Sequence, residues 1–154
     1  MRDFLVVIPA RYKSTRLPGK PLVLLNGKPM IQYVWDTCVK VVGEDNVCIA
    51  TDSEKIKKFC LSQNINYLLT SKKCLTGTDR VYEVAKKIKA KIYINVQGDE
   101  PIFNPKAFYC LRPFYKNKKK MKFKDFFNND LFINHDFKIL KDKGYTLGSS
   151  TYQE

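Results

Sequence analysis

Four short apolar runs recur in the first 96 residues, and their spacing constrains the fold more than any other feature of the chain. FLVVI (4–8), NVCIAT (46–51), INYLLT (65–70) and KIYINV (91–96) are near-continuous rather than alternating. Strands buried on both faces read this way. The stretches between them have a different period. After Pro29, residues Ile31, Val34, Trp35, Cys38, Val39 and Val42 fall on one face of a helix. Pro29 suits its first turn and Gly43 its end. Asp52 and Ser53 can cap a second helix that turns Ile56, Phe59 and Cys60 inward. Thr76 or Thr78 can cap a third, with Val81, Val84, Ala85 and Ile88 on its apolar face. Strand and helix in regular alternation predict parallel βαβ units. The expected fold is therefore α/β, a mostly parallel sheet flanked by helices on both faces.

Sheets of this kind bind ligands beyond the C-terminal ends of their strands. The segments that follow the four runs, 9–21, 51–52, 70–80 and 97–101, are also the most polar and Gly- and Pro-marked of the first 110 residues. The first, within IPARYKSTRLPGKPL (8–22), gathers Arg11, Lys13, Arg16 and Lys20 around Gly19, with FLVVI ending at Pro9. Arginine offers phosphate a planar fork and lysine a mobile point charge, and backbone N–H groups near Gly19 can add to a polyphosphate cradle. A solvated basic loop is the alternative. The spacing is not that of a Walker loop, because Pro21 follows Lys20, and it is not GxGxxG. In VQGDEP (96–101), Asp99 beside Gly98 suits a hard cation such as Mg²⁺, which takes one or two carboxylates plus substrate phosphates. Gln97 can read a base or a sugar through its amide. A tight turn would need the same residues. LTGTDRVYEV (75–84) opens a helix whose N-terminus can attract an anion, with Arg80 a candidate contact; capping by Thr78 with Asp79 in the first turn is compatible with that.

Other function classes lose ground on composition. The five cysteines form no CxxC pair and there is one histidine, His135, so a zinc site or disulfide framework is not expected. The thiols read as reduced and buried. The net charge of +13 is spread along the chain, with one dense run, KNKKKMKFK (116–124). Nucleic-acid binding by that run is the weaker reading, since an anionic small substrate accounts for part of the charge. No apolar run approaches the roughly 18 residues that cross a bilayer, so a cytoplasmic protein with no membrane partner is expected. The length of 154 residues suits one domain. Residues 1–110 read as a nucleotide-binding region. Residues 111–154 read as a basic, aromatic tail that partly continues the same domain, with DFKILKDKGYTLGSSTYQE suggesting a strand, a turn and a strand.

Taken in order, IPARYKSTRLPGKPL, NGKPMI (26–31), ATD (50–52), GTDR (77–80) and NVQGDEP (95–101) resemble the N-terminal portion of the 3-deoxy-manno-octulosonate cytidylyltransferases, the CMP-Kdo synthetases. The resemblance covers residues 1 to about 110 and implies a Rossmann-like fold of the nucleotide-diphospho-sugar transferase type, truncated relative to family members. It implies that CTP and the sugar acid Kdo give CMP-Kdo and pyrophosphate with Mg²⁺, for lipopolysaccharide assembly. By the same resemblance, Arg11, Arg16 and Lys20 would meet the CTP phosphates. Ala10 and Gly98 would line the nucleotide, Arg80 would lie near nucleotide or sugar, Gln97 would contact sugar or base, and Asp99 would hold Mg²⁺. The family's second half supplies a further metal-binding aspartate, much of the sugar pocket and the contacts of a homodimer. The alternatives are a truncated, non-catalytic nucleotide-binding homologue, or a cytidylyltransferase for another sugar acid such as a sialic-acid-like sugar.

Overall fold

Parallel pairing on both edges of one strand organises the molecule. In the computed structural model, which describes residues 1–13, 17–99 and 101 and the backbone of 138–141, strand β1 (Arg2–Ala10) lies at the centre of a five-stranded sheet. It pairs in parallel with β4 (Val47–Thr51) on one side and β6 (Ala90–Asn95) on the other. Strand β5 (Tyr67–Leu69) extends the sheet beyond β4 in parallel, and β7 (Lys138–Lys141) closes the far edge antiparallel to β6. The order is β5-β4-β1-β6-β7. This is the α/β, mostly parallel architecture expected from the alternating pattern. The rest of the tail, including the basic run 116–124, Cys110 and His135, lies outside the described residues.

Alternation along β1 divides the core in two. Phe4, Val6, Ile8 and Ala10 face helices α1 (Met30–Val42) and α2 (Glu54–Ser62), packing with Ile31, Val34, Trp35, Cys38, Ile56 and Cys60. Leu5 and Val7 face α3 (Gly77–Lys87), packing with Cys48, Ala50, Val81, Val84, Ala85 and Tyr93. Each large apolar side chain buried this way contributes about 1.5–3 kcal/mol. Cys38, Cys48, Cys60 and Cys74 are buried free thiols. Burial pushes Cys48 and Cys60 up to about 12 and raises Cys38 further, so none of these three is a nucleophile at neutral pH.

Three local readings change. β1 does not end at Pro9 but runs through it to Ala10, with Pro9 in register with Ala50. The last β6 residue in register with β1 is Asn95, opposite Val7, so proline's missing N–H falls where no β6 partner remains. Pro29 is the N-cap of α1 rather than its first residue. It also ends a hairpin that was not anticipated, β2 (Leu24–Leu25) with β3 (Lys28–Pro29). Its turn residues Asn26 and Gly27 both have positive φ, 48° and 79°, as a type I′ turn requires. The Asn-Gly pair carried that signal in the sequence.

The caps were closer to expectation. Ser53 caps α2, its Oγ accepting from the Ile56 N–H, which leaves Asp52 for another contact. Thr76, not Thr78, caps α3 in a complete capping box with Asp79. The Asp79 carboxylate accepts from the N–H groups of Leu75 and Thr76, and these bonds, chiefly those with Thr76, hold its carboxyl below the usual carboxylate range. Glu83 is lowered by the Ser71 N–H. Folded-state values below the unfolded ones mean that this stability is present above about pH 4 and is lost as pH falls through the folded values. Asp79→Ala is therefore expected to lower the melting temperature at pH 7 by about 2–4 °C and to show a shallower loss of stability on acidification than the parent, both measured by circular dichroism.

Candidate functional site

The C-terminal ends of β1 and β6 and the start of α3 enclose a cleft of about 360 Å³ lined by Pro9, Ala10, Arg11, Lys13, Lys20, Pro21, Gly77, Gln97, Gly98 and Asp99. Of the residues expected to bind, the fold thus brings Ala10, Arg11, Lys20, Gln97, Gly98 and Asp99 to one place. Arg16 lies outside the described residues. Lys13, Pro9, Pro21 and Gly77 join the lining; Lys13 was legible as part of the basic loop but had no individual role.

Backbone geometry explains how the elements approach. Gly98 lies against β1 so closely that a Cβ there would sit 3.0 Å from the Pro9 carbonyl oxygen and 3.3 Å from Ile8 Cγ2. Only glycine lets the 97–99 turn pass this near the strand. Gly19, at φ 73°, packs on the Tyr12 ring, and its N–H donates to the Tyr12 carbonyl at 2.7 Å. The Lys20 N–H donates to the Leu17 carbonyl. These amides close the loop on itself and are not free to cradle an anion, contrary to the sequence expectation. Among the described residues, the cations that line the cleft are the side chains of Arg11, Lys13 and Lys20.

Two of these cations, Lys20 and Arg11, already have partners. Lys20 Nζ donates to Asp99 Oδ2 at 2.7 Å, linking the basic loop to the turn after β6. Arg11 Nη2 donates to the Cys74 carbonyl at 3.1 Å. The Lys20 ammonium thus stands as a cation against the carboxylate expected to hold a metal. The donor set fits a hard divalent ion that takes one carboxylate and completes its shell with phosphates and water. Among the described residues no group of three or more His, Cys, Asp or Glu could hold a metal by itself.

Arg80 departs from its expected place. It is 1% exposed and does not line the cleft. Its Nη2 donates to Asp52 Oδ2 at 2.9 Å and its Nη1 to Thr70 Oγ1 at 2.6 Å. It ties the ends of β4 and β5 to α3 from beneath. The fourth position of a helix whose first turn borders the cleft is too deep for the side chain to reach out. Asp52 in turn borders a second cavity with Tyr12, Lys13, Ser53, Glu54, Lys55 and Lys72. No helix among the described residues is long and apolar enough to cross a membrane.

Comparison with known proteins places this geometry. A family model described as cytidylyltransferase matches residues 5–138. The 3-deoxy-manno-octulosonate cytidylyltransferase of Acinetobacter baumannii (strain AYE) is 50% identical over 101 residues, 63% of this chain and 40% of that protein. The Escherichia coli protein of the same name is 44% identical over 106 residues, 69% of this chain and 43% of its own. The chain spans about two fifths of the length of these curated relatives. The solved structure of CMP:2-keto-3-deoxy-manno-octonic acid synthetase complexed with CTP superposes with a TM-score of 0.68 at 40% identity, covering 75% of this chain and 48% of that one. A cytidylyltransferase from Leptospira borgpetersenii serovar Hardjo-bovis (strain JB197), at 21% identity, shares the fold with a TM-score of 0.63 over 76% of this chain and 51% of its own.

Gly98→Ala tests how the cleft is assembled. The added methyl meets backbone, not a flexible side chain, so the turn must move, and overpacking of this kind costs about 1–3 kcal/mol. The expected result is a melting temperature lower by several degrees in thermal denaturation; an unchanged value would show that the turn accommodates a side chain.

Proposed function

We propose, from the premise that this chain belongs to the cytidylyltransferase family, that the cleft binds CTP and that the reaction served is the activation of Kdo to CMP-Kdo with release of pyrophosphate. The observation that carries this reading is the convergence of Arg11, Lys13 and Lys20 with the carboxylate of Asp99 in one cleft at the C-terminal edge of the sheet. Three cations match a triphosphate, and one carboxylate matches the metal that travels with it. The relatives' names supply the sugar acid, and the similar solved structure is a complex with CTP.

In this reading Arg11, Lys13, Lys20 and Arg16 hold the phosphate oxygens. Pro9, Ala10, Gly77 and Gly98 form the wall against which the nucleoside rests, and Gln97 contacts sugar or base. Asp99 would hold the divalent cation, Mg²⁺ in this proposal; when bound, the cation would neutralise phosphate charge. The sugar hydroxyl oxygen forms a bond to the α-phosphorus while the bond from that phosphorus to the bridging oxygen breaks. Pyrophosphate leaves and the hydroxyl proton passes to solvent. The chain's residues act by position and by charge already in place, and no protein nucleophile is required. Lys20 must exchange Asp99 for a phosphate oxygen as the nucleotide enters. Arg80 contributes indirectly, by holding the 70–76 segment that carries the Cys74 carbonyl bonded to Arg11. Residues 138–141, paired to β6, continue the same domain. The setting is the cytoplasm, and the product serves lipopolysaccharide assembly. Asp99 is the one carboxylate that lines the cleft among the described residues, and this favours a second reading, in which the nucleotide is held without turnover.

Calorimetric titration of CTP with Mg²⁺ tests the binding claim. Lys20→Ala is expected to weaken affinity by at least about tenfold, the scale of one charge-assisted hydrogen bond. Lys91→Ala, on β6 and outside the cleft lining, should leave it unchanged. Equal affinities for both variants would remove Lys20 from the site. Pyrophosphate release with CTP, Kdo and Mg²⁺ then decides between turnover and binding alone.

A further inference from the structure

The three described cations that line the cleft are tied to one contact in the loop after β1. Arg11 and Lys13 are the chain neighbours of Tyr12, and Lys20 is the chain neighbour of Gly19. Tyr12 and Gly19 hold each other. The Gly19 N–H donates to the Tyr12 carbonyl at 2.7 Å. A Cβ built on Gly19 would lie 3.1 Å from Cε2 and Cζ of the Tyr12 ring and 3.2 Å from its hydroxyl oxygen. The phenol end of the ring therefore covers residue 19, and the two residues close the neck of the loop between them.

Tyr12 is itself anchored. It is half-buried and packs against the core layer under α1 and α2. Its hydroxyl accepts from Lys55 Nζ at 3.1 Å, and the same ammonium stands 4.5 Å from the ring centre. Lys55 is the second residue of α2, so the ring joins the loop to a helix. Tyr12 does not line the cleft; it borders the second cavity, with Asp52 and Lys55. It thus acts from behind, on the backbone that carries the cations. This matters most for lysine. A lysine ammonium sits at the end of a flexible stem, so the fold can fix only where the stem begins. At residue 20 that point is set by Gly19, the N-cap of the short 3₁₀ turn Lys20–Leu22. From there Lys20 reaches Asp99. A stem without that anchor would have to be ordered as the ligand binds, at a cost in affinity.

We propose that Tyr12 is a positioning residue: its ring, braced by Lys55 and closed on Gly19, sets where Lys20 meets the phosphates of the nucleotide. The proposal rests on the CTP reading above and adds to it the residue that aims the cation.

The test is a double-mutant cycle on CTP affinity, measured by calorimetry with Mg²⁺, using Tyr12→Ala, Lys20→Ala and the two together. Tyr12→Ala is expected to weaken affinity by about tenfold or more. The cost of Lys20→Ala is expected to shrink by about fivefold or more when Tyr12 is already replaced. A merely structural loss would instead weaken the proteins with and without Lys20 by the same factor. Tyr12→Phe, which keeps the ring on Gly19 and under Lys55, should bind like the parent. Costs that simply add, or a Tyr12→Phe protein as weak as Tyr12→Ala, overturn the proposal while leaving the CTP reading intact. If the parent does not bind CTP, that reading falls and this one with it. If circular dichroism shows that Tyr12→Ala does not fold, Tyr12→Leu takes its place in the cycle with the same two outcomes, since it keeps an apolar side chain on the core but no planar ring on Gly19.

Discussion

The parallel pairing of β1 with β4 and β6 is the constraint on which the rest depends. Because all three strands run the same way, the segments that leave them emerge at one edge of the sheet. The basic loop after β1 and the GD turn after β6 come from distant parts of the chain, yet Lys20 and Asp99 meet across 2.7 Å. Gly98 sets how close that approach can be, since its backbone passes within contact distance of the Pro9 carbonyl. The strand ladder places the elements, and the glycine brings them into register as a site.

The charges at this edge divide into two layers with different work. At the surface, Lys20 and Asp99 form an ion pair with both side chains at least a third exposed. Such pairs are weak in water, so each partner can be surrendered to a phosphate or a cation at small cost. Beneath, Arg80 is buried and fixed by Asp52 and Thr70. Breaking a buried pair is far more costly, so this layer fixes the ends of β4, β5 and α3, and in the proposed function the surface layer would exchange partners above it. A family relationship shown over residues 5–138 accords with a nucleotide-handling edge of this design.

Much of the fold was legible because its signals are local. Continuous apolar runs gave the strands and helical spacing gave α1, α2 and α3, and the rule that ligands lie beyond parallel strand ends located the cleft. What was not legible depends on the third dimension. Arg80 reads as a cation near an anion site, but its depth follows from how α3 lies on the sheet. The Gly19 amides read as a cradle, but the loop folds back and uses them. Pro9 reads as a strand end because proline stops most strands; it continues this one only because β6 has already turned away. The Asn26-Gly27 hairpin is the opposite case, a local signal present in the sequence.

The central claim is that the C-terminal edge of the parallel sheet, between the loop after β1 and the turn after β6, is where the triphosphate of CTP binds. The most direct measurement is a map of backbone amide shifts by NMR as CTP and Mg²⁺ are added. The account predicts saturable changes concentrated at residues 10–13, 20, 77 and 97–99, with residues 2–4 and 90–92 at the opposite edge unmoved. Changes confined to that opposite edge, or no saturable change at all, would contradict it.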